Sequence, residues 1–168
     1  MTNVGTTGVF TLSSPRDLFE KLRHDLEELA AKPDNPYLAF NFVVTAEHML
    51  DWVHPGPANE KIRRARRDSE PLLALISHLA SGAKHFAFLL PHHKAVEDRG
   101  SEIVSVSTIL SAGRGSRIIQ QPHSYLIVHL DGQAEQKFGP YIGIVDLAKA
   151  TYEYWSKDSS IQSSIDAP

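Results

Sequence analysis

The stretch "DNPYLAFNFVVTAEHMLDWVHPGP", residues 34–57, decides the architecture. Read at about 100° per residue, Ala39, Phe42, Val43, Ala46, Met49, Leu50 and Val53 fall on one wide apolar face. A face that wide suits the central helix of a bundle. Asn35 is expected to cap this helix and Pro36 to open it, because a proline at the first position gives up an N–H that has no intrahelical partner. Pro55, Gly56 and Pro57 end it.

Working outward, "SSPRDLFEKLRHDLEELAAKP", residues 13–33, predicts a preceding helix. Ser14 is its cap and Pro15 its first residue, and Leu18, Leu22, Leu26 and Leu29 form one stripe. On the other side lies "NEKIRRARRDSEPLLALISHLASGAKHF", residues 59–86. Pro71 is placed in the first turn of a helix capped by Asp68 or Ser69, which leaves 59–67 as a separate basic helix or loop. Leu72, Leu75, Ile76, Leu79, Ala83 and Phe86 share its apolar face.

After residue 86 the helical period is lost. Residues 87–102 read as irregular. "IVSVSTIL", 103–110, and "SYLIVHL", 124–130, alternate like strands, and "SAGRGSR", 111–117, joins them. "DGQ", 131–133, reads as a turn and "YIGIV", 141–145, as a third short strand. "DLAKATYEYWSKD", 146–158, predicts a closing helix capped by Asp146, with Leu147, Ala150, Tyr154 and Trp155 docked inward. A short hairpin is marginal alone and needs a helical face to pack on. The expected fold is therefore mainly α (α+β): a helical bundle with a small antiparallel β-hairpin or three-stranded sheet and a C-terminal helix. It forms a single domain over residues 1–168, with flexible ends at 1–13 and 158–168.

Composition narrows the function classes. Apolar residues make up 42% and charged residues 22% of the chain, which fits a globular protein. A net charge of −3 argues against a strongly basic nucleic-acid binder. With no cysteine, disulfides, zinc ribbons, iron–sulfur clusters and thiol catalysis are excluded. No stretch has the roughly 18 uninterrupted apolar residues of a membrane span, and "MTNVGTTGVFTLSSP" lacks the features of a signal peptide. A cytoplasmic protein without membrane partners is expected.

Candidate chemistry concentrates in "ISHLASGAKHF", residues 76–86. His78 and His85 are seven apart, nearly in line, with Ser81 and Gly82 between them. On the preceding helix Asn41, Thr45, His48 and Asp51 make a narrow polar stripe that could face them as a ligand-binding set. Three readings suit this pattern. His78 or His85 acts as general acid or base, with Lys84 or an arginine stabilising an anionic phosphate. Alternatively His48, His78, His85 and Asp51 hold a divalent metal, although no close ligand motif occurs. Or the histidines only fix helix packing. No metal or other cofactor is assigned. Arg63, Arg64, Arg66 and Arg67 of "KIRRARR" are candidate phosphate contacts, against the reading of a solvated face balanced by Glu60, Asp68 and Glu70.

The motifs "HLASGAKHF", "AFNFVVTAEHMLDWV" and "DLAKATYEYW" resemble those of a group of small uncharacterised bacterial and phage proteins. A wider similarity is to HEPN domains, helical bundles that include RNA-cleaving toxins and antiviral effectors. In this chain His85 matches the catalytic histidine of that family. The family's arginine position is not filled, since His78, Leu79 and Ala80 stand upstream. The resemblance implies a phage- or defence-related setting. The expected function is a non-enzymatic binding or interaction module, and the alternative is a HEPN-like, metal-independent ribonuclease with His85 as general base. The candidate partners are RNA, another protein, or a second copy joined through the apolar faces of the second and third helices.

Overall fold

The computed structural model describes residues 12–84, 96–110 and 119–162. Its fold is mainly helical with a small antiparallel sheet. Helix α1 spans Pro15–Ala31 and α2 spans Pro36–Val53. A 3₁₀ turn at Pro57–Asn59 leads into α3, Glu60–Ser69, and α4 follows at Pro71–Lys84. Strands β1, Val96–Leu110, and β2, Ile119–Leu130, precede α5, Gly132–Phe138. The chain closes with β3, Tyr141–Gly143, α6, Ile144–Ser156, and α7, Ser159–Gln162.

The helix starts follow from local chemistry. The Ser14 side chain accepts from the Asp17 N–H and Asp17 accepts from the Ser14 N–H, a reciprocal cap before α1. Asn35 accepts from Tyr37 and Leu38, and Pro36 opens α2. At α4 the cap differs from expectation. Glu70, not Asp68 or Ser69, accepts from the Leu72 N–H, because α3 runs on through Ser69 and leaves one residue before Pro71.

One apolar core joins the layers. α2 contributes Phe42, Ala46, Met49 and Leu50, α4 contributes Leu73, Leu75 and Ile76, and α6 contributes Leu147 and Trp155. Phe19 of α1 stacks on Tyr152 of α6 with ring centroids 4.7 Å apart. Of the apolar faces considered above as a dimer contact, Phe42, Met49 and Leu50 of α2 and Leu72, Leu75 and Ile76 of α4 are buried in the chain's own core. Within the end expected to be flexible, Ser159–Gln162 form α7 and Ile161 is buried.

The sheet has the order β1-β2-β3, antiparallel throughout. Leu126, Val128 and Leu130 of β2 are buried, so the alternate residues Tyr125, Ile127 and His129 lie on the other face. Both long strands exceed the sequence expectation. β1 begins at Val96, with an irregular register between Val96 and Ser101, and β2 begins at Ile119 and includes Pro122. The segment after β2 is helical rather than a turn, with Asp131 as its cap. α6 starts at Ile144, so Asp146 sits in its first turn rather than at its cap. β3 pairs only with residues 127–129 of β2, and at the next position the Leu126 N–H donates to the Pro33 carbonyl at 3.0 Å. Among the described residues no helix is long and apolar enough to cross a membrane.

Candidate functional site

The polar stripe on α2 is divided by its neighbours. Thr45 is buried at 5% exposure and faces α1. Its hydroxyl accepts from Lys21 Nζ at 2.8 Å and lies 2.6 Å from Asp25 Oδ2, while Lys21 and Asp25 pair at 2.6 Å. Asn41 is exposed, and its carbonyl lies 3.0 Å from the Thr45 hydroxyl. His48 and Asp51 turn the other way, with His48 Nδ1 3.5 Å from Asp51 Oδ2 and Asp51 Oδ1 3.1 Å from Arg63 Nε.

On α4, His78 is buried at 3% exposure rather than bordering an open seam, beside buried Ser77. Ser81 is half-buried. Lys84 ends α4, and His85 lies outside the described residues, as do His92 and His93. His48 keeps its ring at the surface, with 44% of its side chain exposed, whereas His78 lies in the interior. Among the described residues no group of three His, Cys, Asp or Glu could hold a metal ion.

The arginines of α3 depart most from expectation. Arg63 is only 12% exposed and clamps the turn after α2, donating from Nη1 to the carbonyls of His54 and Gly56 at 2.6 and 2.8 Å and pairing with Glu60. Arg66 donates from Nε to the Tyr154 hydroxyl at 2.8 Å and from Nη2 to Asp158 at 2.6 Å, with its guanidinium 4.7 Å from the Trp155 ring centre. Burial works against the Arg66 charge, yet the Tyr154 hydroxyl and Asp158 outweigh it and hold the guanidinium above its ordinary range. Burial likewise opposes ionisation of Asp158, but the Ser160 hydroxyl and Arg66 keep its carboxyl below the ordinary value. Arg67 pairs with Glu47 at 2.8 Å, and Ser77 donates to the same Glu47 oxygen at 3.2 Å. Arg64, 72% exposed, is the member of the four left facing solvent. The four do not form a free cationic face for phosphate, because acids on α2 and beside α7 neutralise Arg66 and Arg67 inside the fold.

Two hollows on the described surface carry charged groups. One, about 760 Å³, is lined by Arg66, Lys137 and Lys157 together with Glu70, Glu153 and Asp158. Its charges answer one another, as in the Arg66–Asp158 and Lys137–Glu70 pairs. The other, about 550 Å³, lies where the α1–α2 turn, β2, β3 and the start of α6 meet. Pro33, Val104, Tyr125, Ile127, Tyr141 and Val145 give it apolar and aromatic walls, and Asp146 and Lys149 are its charged groups. Tyr125 and Tyr141 remain 41% and 58% exposed. His129 pairs with Tyr141 and Ile127 with Gly143, so both tyrosines belong to the outer face of the sheet. Sequence reading missed this groove. The alternation in "SYLIVHL" puts Tyr125 and Ile127 on one face, but it does not reveal that this face is the open one.

No family model, curated protein or solved structure matches this chain.

Proposed function

We propose that the protein is a non-enzymatic binding module whose ligand enters the groove between the outer sheet face and α6. The observation that carries this reading is a concave apolar hollow of about 550 Å³ whose lining includes two half-open tyrosines, an aspartate and a lysine. Sites for small ligands combine largely apolar walls with a few polar groups that orient the guest. Tyrosine suits such walls, since its ring offers apolar area and its hydroxyl a hydrogen bond. Lys149 favours a ligand with an anionic group next to an aromatic body. The ribonuclease alternative requires His85, outside the described residues, and an arginine beside it. Three of the four α3 arginines are instead engaged within the fold.

The test uses anilinonaphthalene sulfonate, an aromatic anion, titrated into labelled protein and followed by amide correlation spectra. Saturable shifts are expected at Ile127, Tyr141, Gly143 and Val145. Tyr141→Ala and Lys149→Ala should weaken them while the remaining spectrum stays folded. Shifts centred elsewhere, or binding that both variants leave intact, would overturn the assignment.

A further inference from the structure

The opposite edge of the sheet belongs to β1. β1 is terminal in the strand order, and among the described residues no strand lies on its outer side. The register tells which of its backbone groups point outward. On β2, Leu126 and Leu130 donate their N–H groups to Pro33 and Pro140, away from β1. Even-numbered residues of β2 therefore face that side and odd-numbered ones face β1. The odd residues pair with even residues of β1: Tyr125 with Val104, His123 with Val106, Gln121 with Thr108. Ile103, Ser105, Ser107 and Ile109 thus direct their N–H and C=O groups to the open edge.

Proteins blunt such edges with charges, prolines or bulges, because an unpaired strand is a template for another chain. β1 carries these devices in its first half. Glu97, Asp98, Arg99 and Glu102 lie there, and so does the irregularity between Val96 and Ser101. From Ile103 to Leu110 there is no charge, proline or glycine, and Ile103, Val104, Val106, Thr108 and Ile109 are β-branched. The far edge of β2 is guarded differently, by Pro122 at an outward position and by the Pro33 carbonyl at Leu126.

We propose that residues 103–110 of β1 are a dimerisation edge, pairing antiparallel with the same residues of a second copy about a two-fold axis at Val106. Centring there joins Ile103 to Ile109 and Ser105 to Ser107, so all four outward residues gain reciprocal partners. The charge pattern favours a second copy. In this register Glu102 meets Leu110, so no like charges meet within residues 102–110. A shift toward the charged half would bring Glu102 closer to its own copy. The pairing is independent of the groove on the outer face.

Sedimentation of the full chain over a concentration series, combined with amide hydrogen exchange, tests the proposal. A concentration-dependent dimer is expected, with the amides of Ile103, Ser105, Ser107 and Ile109 protected in proportion to the dimer fraction. Ser107→Pro removes an outward donor and leaves the ladder to β2 intact, so it should give a folded monomer. Val106→Lys sets two like charges opposite each other and should dissociate the dimer at low salt even if the proline variant misfolds. Three results overturn the proposal: a monomer whose four edge amides exchange freely, a monomer whose edge amides are protected by its own chain, or a dimer that survives both variants.

Discussion

Replacing Arg66 with methionine separates a cation that holds the fold together from one that faces a ligand. The side chain is about three-quarters buried, at 24% exposure, and it joins α3 to Tyr154 of α6 and to Asp158 ahead of α7. Methionine keeps much of the stem and removes the guanidinium. A hydrogen bond to a charged group contributes about 1.5–3 kcal/mol. The ring contacts with Trp155 and Tyr154 add about 1 kcal/mol. Asp158, 10% exposed, would keep Ser160 as a donor, which limits the loss. The expected net cost is about 3 kcal/mol, a fall of roughly 6–12 °C in Tm for a chain of this size. Urea denaturation supplies the free energy, and a double-mutant cycle with Asp158→Asn isolates the pair, for which a coupling of about 1–2 kcal/mol is expected. A loss below about 1 kcal/mol, or additivity within about 0.5 kcal/mol, would refute the argument that this arginine is committed to the fold. A simultaneous loss of RNA binding would restore the phosphate reading.

Acid should loosen the same region. Burial opposes ionisation of Asp158 and of Glu70, but Ser160 and Arg66 for the first, and Lys137 for the second, leave both carboxyls below their ordinary values. A lowered folded value means that their contribution is present above the unfolded value and is lost as pH falls through the folded one. Urea midpoints should therefore hold down to about pH 5 and decline below about pH 4, and Asp158→Asn should flatten that decline. Backbone geometry gives a separate prediction at Gly139, where φ is 88° and ψ −178°, a conformation nearly confined to glycine. An added Cβ would meet nothing within 4 Å, so Gly139→Ala should cost about 1–3 kcal/mol through the backbone alone, as measured by thermal unfolding. Equal stability of the variant would exclude that strain.

What the sequence revealed was what is encoded locally. Ser14, Pro15, Asn35 and Pro36 mark helix starts within four residues, and the apolar stripes of α1, α2 and α4 repeat with the helical period. α5 escaped because it buries only Ala134 among its residues, begins at Gly132 and is followed by Gly139, so it has no stripe to read and resembles a turn. The first half of β1 was hidden by its charges, which an edge strand tolerates. The candidate site was less legible, for a physical reason. Arg66 meets its acid 92 residues away and Arg67 meets Glu47 20 residues away, and a run of arginines looks the same whether such partners exist or not. Asn41, Thr45, His48 and Asp51 all lie on α2, but the choice between α1 for Thr45 and solvent for His48 depends on tertiary packing. The groove draws on four separate segments, none of which carries a motif.

The bond from Leu126 to the Pro33 carbonyl, together with that from Leu130 to Pro140, acts as a two-point gauge on β2. A slip of one residue would turn Leu126, Val128 and Leu130 outward and leave both prolyl oxygens unmatched. The connector between the first two helices thus sets the phase of a strand some ninety residues downstream (|126 − 33| = 93). Lengthening that connector by a residue would be felt in the hairpin before it disturbed either helix.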